Sequence, residues 1–183
     1  MGHDPGYRRA KGLTKNMHSR IAILGNAGSG KSYLASKIGV ACGLPIIDLD
    51  ALFWMPGGYT EKRPSVAVDA ELAKRKTDDR WIIEGVFGEL IAQVLDRANL
   101  LLWLDFDWTT CRASLVDRHS NAAEEERHRK DETFRVLLDY AEAYWSRGGP
   151  RSQSGHAALF HEFAGAKRRL RDRGEVAAFL CTL

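Results

Sequence analysis

Four apolar residues, Ile21 to Leu24, run directly into Gly25-Asn26-Ala27-Gly28-Ser29-Gly30-Lys31-Ser32, after which apolar residues recur at 34, 35, 38 and 41. A short apolar run bounded by glycine reads as a parallel strand buried on both faces, and the spacing after Tyr33 is that of a helix. The order is therefore strand, glycine-rich loop, helix. The octapeptide satisfies GxxxxGK[ST], and each fixed position has a chemical reason. Gly25, Gly28 and Gly30 let the backbone turn its amides, from Asn26 and Ala27 through Ser29 to Ser32 and Tyr33, around phosphate oxygens. The helix N-terminus adds its positive end, Lys31 reaches the outer phosphates, and Ser32 Oγ ligates Mg²⁺. Nucleotide binding is what this predicts.

The alternation continues beyond this unit. Pro45 to Asp50 reads as a second strand, Val66 to Lys76 as a helix, and Trp81-Ile82-Ile83-Glu84-Gly85 as a third strand. Phe87 to Arg97 reads as a helix, Leu100 to Asp105 as a fourth strand, and about Thr109 to Arg118 as a helix. Strands alternating with helices of this length make an α/β fold with a doubly wound, mostly parallel sheet.

Three of these strands end in carboxylates: Asp48 and Asp50, Glu84, and Asp105. In an open α/β sheet the ligand crevice lies beyond the carboxyl ends of the strands, so these acids are candidates to meet the phosphates held by Lys31. Such acids have a use there, since Mg²⁺ is held through water by a second carboxylate and an acceptor hydroxyl needs a base. Glu84 is expected to order the metal's water, Asp50 to contact or deprotonate the acceptor, and Asp48 to line the acceptor site. Asp105, followed by Asp107 ahead of a helix, reads as a capping acid.

Composition narrows the function classes. The 183 residues are 44% hydrophobic and 28% charged, enough for one domain with a sizeable core. No run approaches the roughly 20 apolar residues of a membrane helix, and a cytoplasmic protein is expected. Cys42, Cys111 and Cys181 lie far apart and read as small buried hydrophobes, and the histidines have no metal-ligand spacing, so no zinc site is expected. The net charge of +3 comes from residues 1–19 and Arg20, where five basic residues face Asp4 alone, and the body of the chain sums to −1. Residues 1–19 read as a flexible basic tail, and 20–183 as a single domain.

With these motifs the chain resembles the small P-loop kinases of the adenylate-kinase-like superfamily, and in particular the bacterial adenylate kinase-related or DNA topology modulation group. The resemblance rests on Gly25 to Ser32, on Leu49 to Trp54 with Pro56-Gly57-Gly58, on Trp81 to Gly85, on Leu104-Asp105 with Cys111, and on Tyr144-Trp145 through His156 to Phe179-Leu180. It implies a P-loop NTPase fold of the nucleoside-monophosphate-kinase type: a five-stranded parallel sheet flanked by helices, a substrate-binding insertion over about 51–79, and a short lid over about 119–131. It also implies that Ala166 to Leu170 is an edge strand, followed by a closing helix from Glu175 to Leu183, although propensity alone would make the Lys167 to Arg173 segment helical. True adenylate kinases carry Asp-Gly and then Pro-Arg after the third strand, whereas this chain has Glu84-Gly85-Val86-Phe87-Gly88, so the acceptor need not be AMP. Asp48-x-Asp50 resembles the carboxylates of shikimate-type kinases.

Arg118 ends the helix ahead of the lid and is expected to neutralise charge on the triphosphate, with Arg127 and Arg129 as further candidates; the alternative for those two is a solvated helix, since Glu125 and Arg129 are spaced to pair. Trp54 either stacks an acceptor or plugs the core, and Arg63 either holds an anionic group or lies on the surface. The reading that results is a Mg·ATP-dependent phosphotransferase acting on a small molecule, with a nucleotide among the candidate acceptors. Its rival is a P-loop ATPase or regulatory module associated with DNA, for which the basic tail and the Arg168 region speak without any recognised nucleic-acid-binding fold.

Overall fold

The computed structural model describes residues 18–56, 61–121 and 124–183, the side chains of 124–131 excepted. Residues 1–17 of the basic tail and the 57–60 stretch of the insertion thus lie outside the described residues, as do the side chains of Arg127 and Arg129.

Five parallel strands form one sheet: β1 (Arg20–Gly25), β2 (Ile46–Asp48), β3 (Trp81–Gly85), β4 (Leu100–Leu104) and β5 (Ala166–Leu170), in the order β2-β3-β1-β4-β5. Helices α1 (Lys31–Cys42), α2 (Leu49–Phe53), α3 (Ser65–Arg75) and α4 (Gly88–Ala92) follow the first three strands. After β4 come α5 (Trp108–Ser120), α6 (Glu124–Glu142), a 3-10 turn at Ala143–Trp145 and α7 (Gln153–Glu162), and α8 (Arg173–Leu180) closes the chain. This is the α/β P-loop NTPase fold expected from the sequence.

The central strands are apolar apart from Arg20 and Glu84 because both of their faces are covered. On β1, Ala22 and Leu24 join Trp81, Ile83, Leu101 and Trp103 beneath α2, α3, α4 and α7. The alternate residues Ile21 and Ile23 join Ile82, Leu100, Leu102 and Leu104 against Leu34, Ala35 and Ile38 of α1 and Val176 of α8. Strand β1, paired on both sides, therefore ends at the centre of the carboxyl edge, and the glycine loop that leaves it sits there too.

Several boundaries differ from the sequence reading. The second strand stops at Asp48 rather than Asp50: Asp48 Oδ1 accepts from the Asp50 amide at 2.8 Å, capping α2, whose Leu49 and Leu52 turn into the core. A side-chain cap followed by two apolar residues at helical spacing outweighs continued pairing at a sheet edge. Asp50 is thus a helical residue. The helix expected over Phe87 to Arg97 shortens to α4, while α5 starts one residue earlier and ends two later than expected. α8 begins at Arg173 and stops at Leu180, with Asp172 Oδ1 accepting from the Glu175 amide. Of the cysteines only Cys111 is buried; Cys42 is half-buried and Cys181 exposed.

Candidate active site

The glycine loop begins where β1 leaves the sheet. Gly28 has φ +77° and Gly30 φ +91°, a left-handed conformation that residues with a Cβ rarely adopt. Gly28 is further constrained by packing, since a Cβ there would lie 2.4 Å from the Cys111 carbonyl oxygen. Gly30 differs: a Cβ would meet nothing within 4 Å, so the loop opens into free space on that side, at the N-terminus of α1. Ser29 Oγ is buried without a hydrogen-bond partner. Open space at a helix N-terminus, with an unsatisfied hydroxyl buried in the same loop, fits a phosphate group.

Lys31 opens α1 and is 8% exposed, its Nζ donating to the Asn26 carbonyl oxygen at 3.0 Å. The neighbouring Ser32 Oγ donates to Glu84 Oε1 at 2.6 Å, which joins the loop to the buried acid of β3. Asp48 is registered beside Glu84 across the β2–β3 pair. Asp50 belongs to the same group. Burial pushes its carboxyl above the usual range, against the pull of the Lys31 ammonium and, more weakly, of Arg118, while Trp54 hydrogen-bonds to it. Burial also raises Glu84, opposed by Lys31 and by the Ser32 hydroxyl and reinforced by the negative charges of Asp48 and Asp50. Lys31, Ser32, Asp48, Asp50, Glu84 and Arg118 are therefore one electrostatic cluster at the carboxyl edge of the sheet.

Other candidates fall differently. Tyr33 is 58% exposed, with Lys37 Nζ 5.4 Å from its ring centre. Trp54 packs edge-on against Phe53 at 5.0 Å, joining Phe53 and Phe87 in an aromatic wall beside Asp50. Arg63 donates to the Leu52 carbonyl oxygen at 3.2 Å and, with Asp48, borders an open cavity of about 480 Å³ on the β2 side of α2, whose lining contains neither Asp50 nor Glu84. Asp105 does not cap; Asp107 does, accepting from the Thr110 amide at 2.7 Å. Asp105 pairs instead with Arg169 of the adjacent strand β5. Among the described residues no group of three or more His, Cys, Asp or Glu side chains is placed to hold a metal ion.

Two arrangements had no counterpart in the sequence reading. Trp103 Nε1 donates to Tyr144 Oη at 3.3 Å, Tyr144 Oη meets His156 Nδ1 at 2.7 Å, and His156 Nε2 meets the Val86 carbonyl oxygen at 3.0 Å, a buried chain ending two residues past Glu84. Beyond the aromatic wall, Arg151 lies against the Phe53 and Phe87 rings at 4.6 and 4.4 Å and pairs with Glu89. Arg147 donates to the Tyr140 and Arg151 carbonyl oxygens. The only sequence signal for either group is the isolated placement of a histidine and two arginines in an otherwise weakly patterned stretch.

No family model and no curated protein matches this sequence. Solved structures do match its fold. A gluconokinase from Sinorhizobium meliloti 1021 aligns with TM-score 0.52 at 16% identity, over 90% of this chain and 92% of its own. A shikimate kinase from Bacteroides thetaiotaomicron aligns with TM-score 0.52 at 15% identity, over 90% and 95%. A sugar kinase from Janibacter sp. HTCC2649 aligns with TM-score 0.51 at 17% identity, over 89% and 93%. The chain shares the architecture of small P-loop kinases over nearly its whole length. Among its described residues no helix is long and apolar enough to cross a membrane.

Proposed function

We propose that this protein transfers the γ-phosphoryl group of Mg·ATP to a hydroxyl of a small molecule. The observation that carries the reading is the 2.6 Å contact between Ser32 of the phosphate loop and the buried Glu84, with Asp50 and Lys31 in the same cluster. When bound, Mg·ATP supplies the transferable group and a metal charge that offsets the phosphates. The loop amides and Ser29 Oγ bind phosphate oxygens, and Lys31 exchanges its contact with the Asn26 carbonyl for the outer phosphates. Ser32 Oγ and, through water, Glu84 would hold the metal. Asp50, its carboxyl raised by burial, is suited to take the proton of an acceptor hydroxyl. Arg118 adds positive charge where the transition state spreads negative charge.

On the acceptor side the described arginines are anchored within the protein. Arg147 donates to backbone carbonyls, Arg151 to Glu89 and Arg63 to the Leu52 carbonyl. This favours a hydroxylated acceptor over one held by a phosphate of its own, and the fold shared with gluconokinase, shikimate kinase and sugar kinase structures supports the same choice. The finer resemblance to the adenylate kinase-related group leaves a nucleoside monophosphate as the second acceptor class. A DNA-associated ATPase has less behind it, because Lys167 donates to the His161 and Phe163 carbonyls, Arg169 pairs with Asp105, and Arg173 donates to Ser114.

The test is ADP release from Mg·ATP against a panel of polyols, sugar acids, other hydroxylated metabolites and nucleoside monophosphates. Acceptor-dependent turnover, lost in Lys31→Ala and in Asp50→Asn, is expected. Slow ATP hydrolysis that no acceptor accelerates and that Asp50→Asn leaves unchanged would overturn the kinase reading in favour of the ATPase.

A further inference from the structure

Asn26, the first variable position of the glycine loop, is 1% exposed, and both ends of its amide are used. Its Oδ1 accepts from the Ala27 amide at 2.8 Å, and its Nδ2 donates at 2.8 Å to the carbonyl oxygen of Ala141, 115 residues away in α6. Its own carbonyl oxygen receives Lys31 Nζ at 3.0 Å and the Ser29 amide at 3.3 Å. One residue thus contacts the phosphate-binding lysine, the loop backbone and a distant helix. Ala141 lies in the last turn of α6, where carbonyls have no partner within the helix and must find one elsewhere. Its neighbour Tyr140 gives its carbonyl to Arg147, which also holds the Arg151 carbonyl. Two consecutive carbonyls at the end of α6 are therefore gripped from two directions, one from the phosphate loop and one from the group that packs on the aromatic wall.

We propose that Asn26 is a positioning residue that sets the phosphate loop against the end of α6, so that nucleotide binding at the loop is transmitted to the Ala141 turn. The inference rests on the nucleotide-binding part of the reading above and is independent of the acceptor. Its physical basis is the shared peptide. When Lys31 leaves the Asn26 carbonyl for phosphate, that peptide loses a charged donor, and its side chain remains fastened to Ala141. Loop and helix end must adjust together. Asparagine meets both demands with one side chain, because aspartate lacks the donor and alanine lacks both groups.

Hydrogen exchange on the full chain, read by mass spectrometry with and without the Mg²⁺ complex of a slowly hydrolysed ATP analogue, tests this. In the wild type we expect slower exchange both in 25–33 and in a peptide spanning 138–146. In Asn26→Ala and Asn26→Asp we expect the loop to retain its protection, the 138–146 response to disappear, and the analogue's Kd to rise about tenfold. A merely structural asparagine would lower thermal stability while the nucleotide-dependent change at 138–146 survived, and that result overturns the proposal. So does a wild type in which the loop is protected and 138–146 is unaffected, a comparison that stands even if both variants fail to fold. Absence of protection at 25–33 in the wild type would sink the nucleotide-binding reading itself, and the proposal with it.

Discussion

Acidification should cost this protein stability through one histidine. His156 is fully buried, and its ring is satisfied as a neutral species: Nδ1 accepts from the Tyr144 hydroxyl and Nε2–H donates to the Val86 carbonyl. Protonation would give Nδ1 a hydrogen of its own directed at Tyr144 Oη, which already accepts from Trp103. Burial, with smaller contributions from the charges of Lys31 and Arg147, depresses its pKa from 6.5 to about 4. The folded site therefore holds a proton less tightly than the unfolded chain does. Stability from this source is complete above about pH 6.5 and is lost progressively as the pH falls to about 4. One proton linked over this interval corresponds to about 3 kcal/mol in full and about 2 kcal/mol between pH 7 and pH 5. Urea denaturation of the wild type and of His156→Gln at pH 7, 6 and 5 isolates the term, because the carboxylates titrate in both proteins. The variant should be less stable at pH 7, having lost a well-matched partner for Tyr144, and its profile should be flatter by about 2 kcal/mol over the range. Parallel profiles for the two proteins would refute the reasoning and would mean that the ring is already charged or already wet in the native state.

Further outcomes are expected from the site itself. Lys31→Ala should abolish ATP turnover, a change checked by ADP release, while circular dichroism stays native because the lost contact is a single bond to the Asn26 carbonyl. Asp50→Asn should lower acceptor-dependent kcat by about 10²-fold or more and change the Kd of Mg·ATP little, since the amide retains the size but cannot take a proton; equal losses in both would assign Asp50 a structural or metal-only role. Gly28→Ala should destabilise the fold by about 2–4 kcal/mol in urea titrations, combining the left-handed φ with a Cβ 2.4 Å from the Cys111 carbonyl oxygen. Arg118→Ala should reduce kcat with the Kd of Mg·ATP changed less, as single-turnover kinetics against binding would show, because in the proposed mechanism its charge acts where negative charge develops.

The parts of this protein that were legible in its residues alone are those set by neighbours along the chain. An apolar run, three glycines and a lysine at a helix start specify their own conformation, so β1, the loop and α1 stand where the pattern placed them. The alternation of apolar runs with helical periods likewise specified a parallel sheet, and Glu84, the acid closing an unbroken apolar strand, proved to face Ser32. Tertiary structure decided the rest. Lys167 to Leu170 forms strand β5 because its backbone completes the hydrogen bonds of β4, with Arg169 neutralised by Asp105, although local propensity favours a helix there. Asp50 moved from a strand onto α2 because Asp48 caps that helix and Leu49 and Leu52 find a core to enter. His156 and Asn26 owe their roles to Tyr144 and Ala141, residues 12 and 115 positions away. Periodicity and capping are properties of a few consecutive residues, whereas pairing, burial and the pKa of a buried ring depend on groups brought together only when the chain closes on itself.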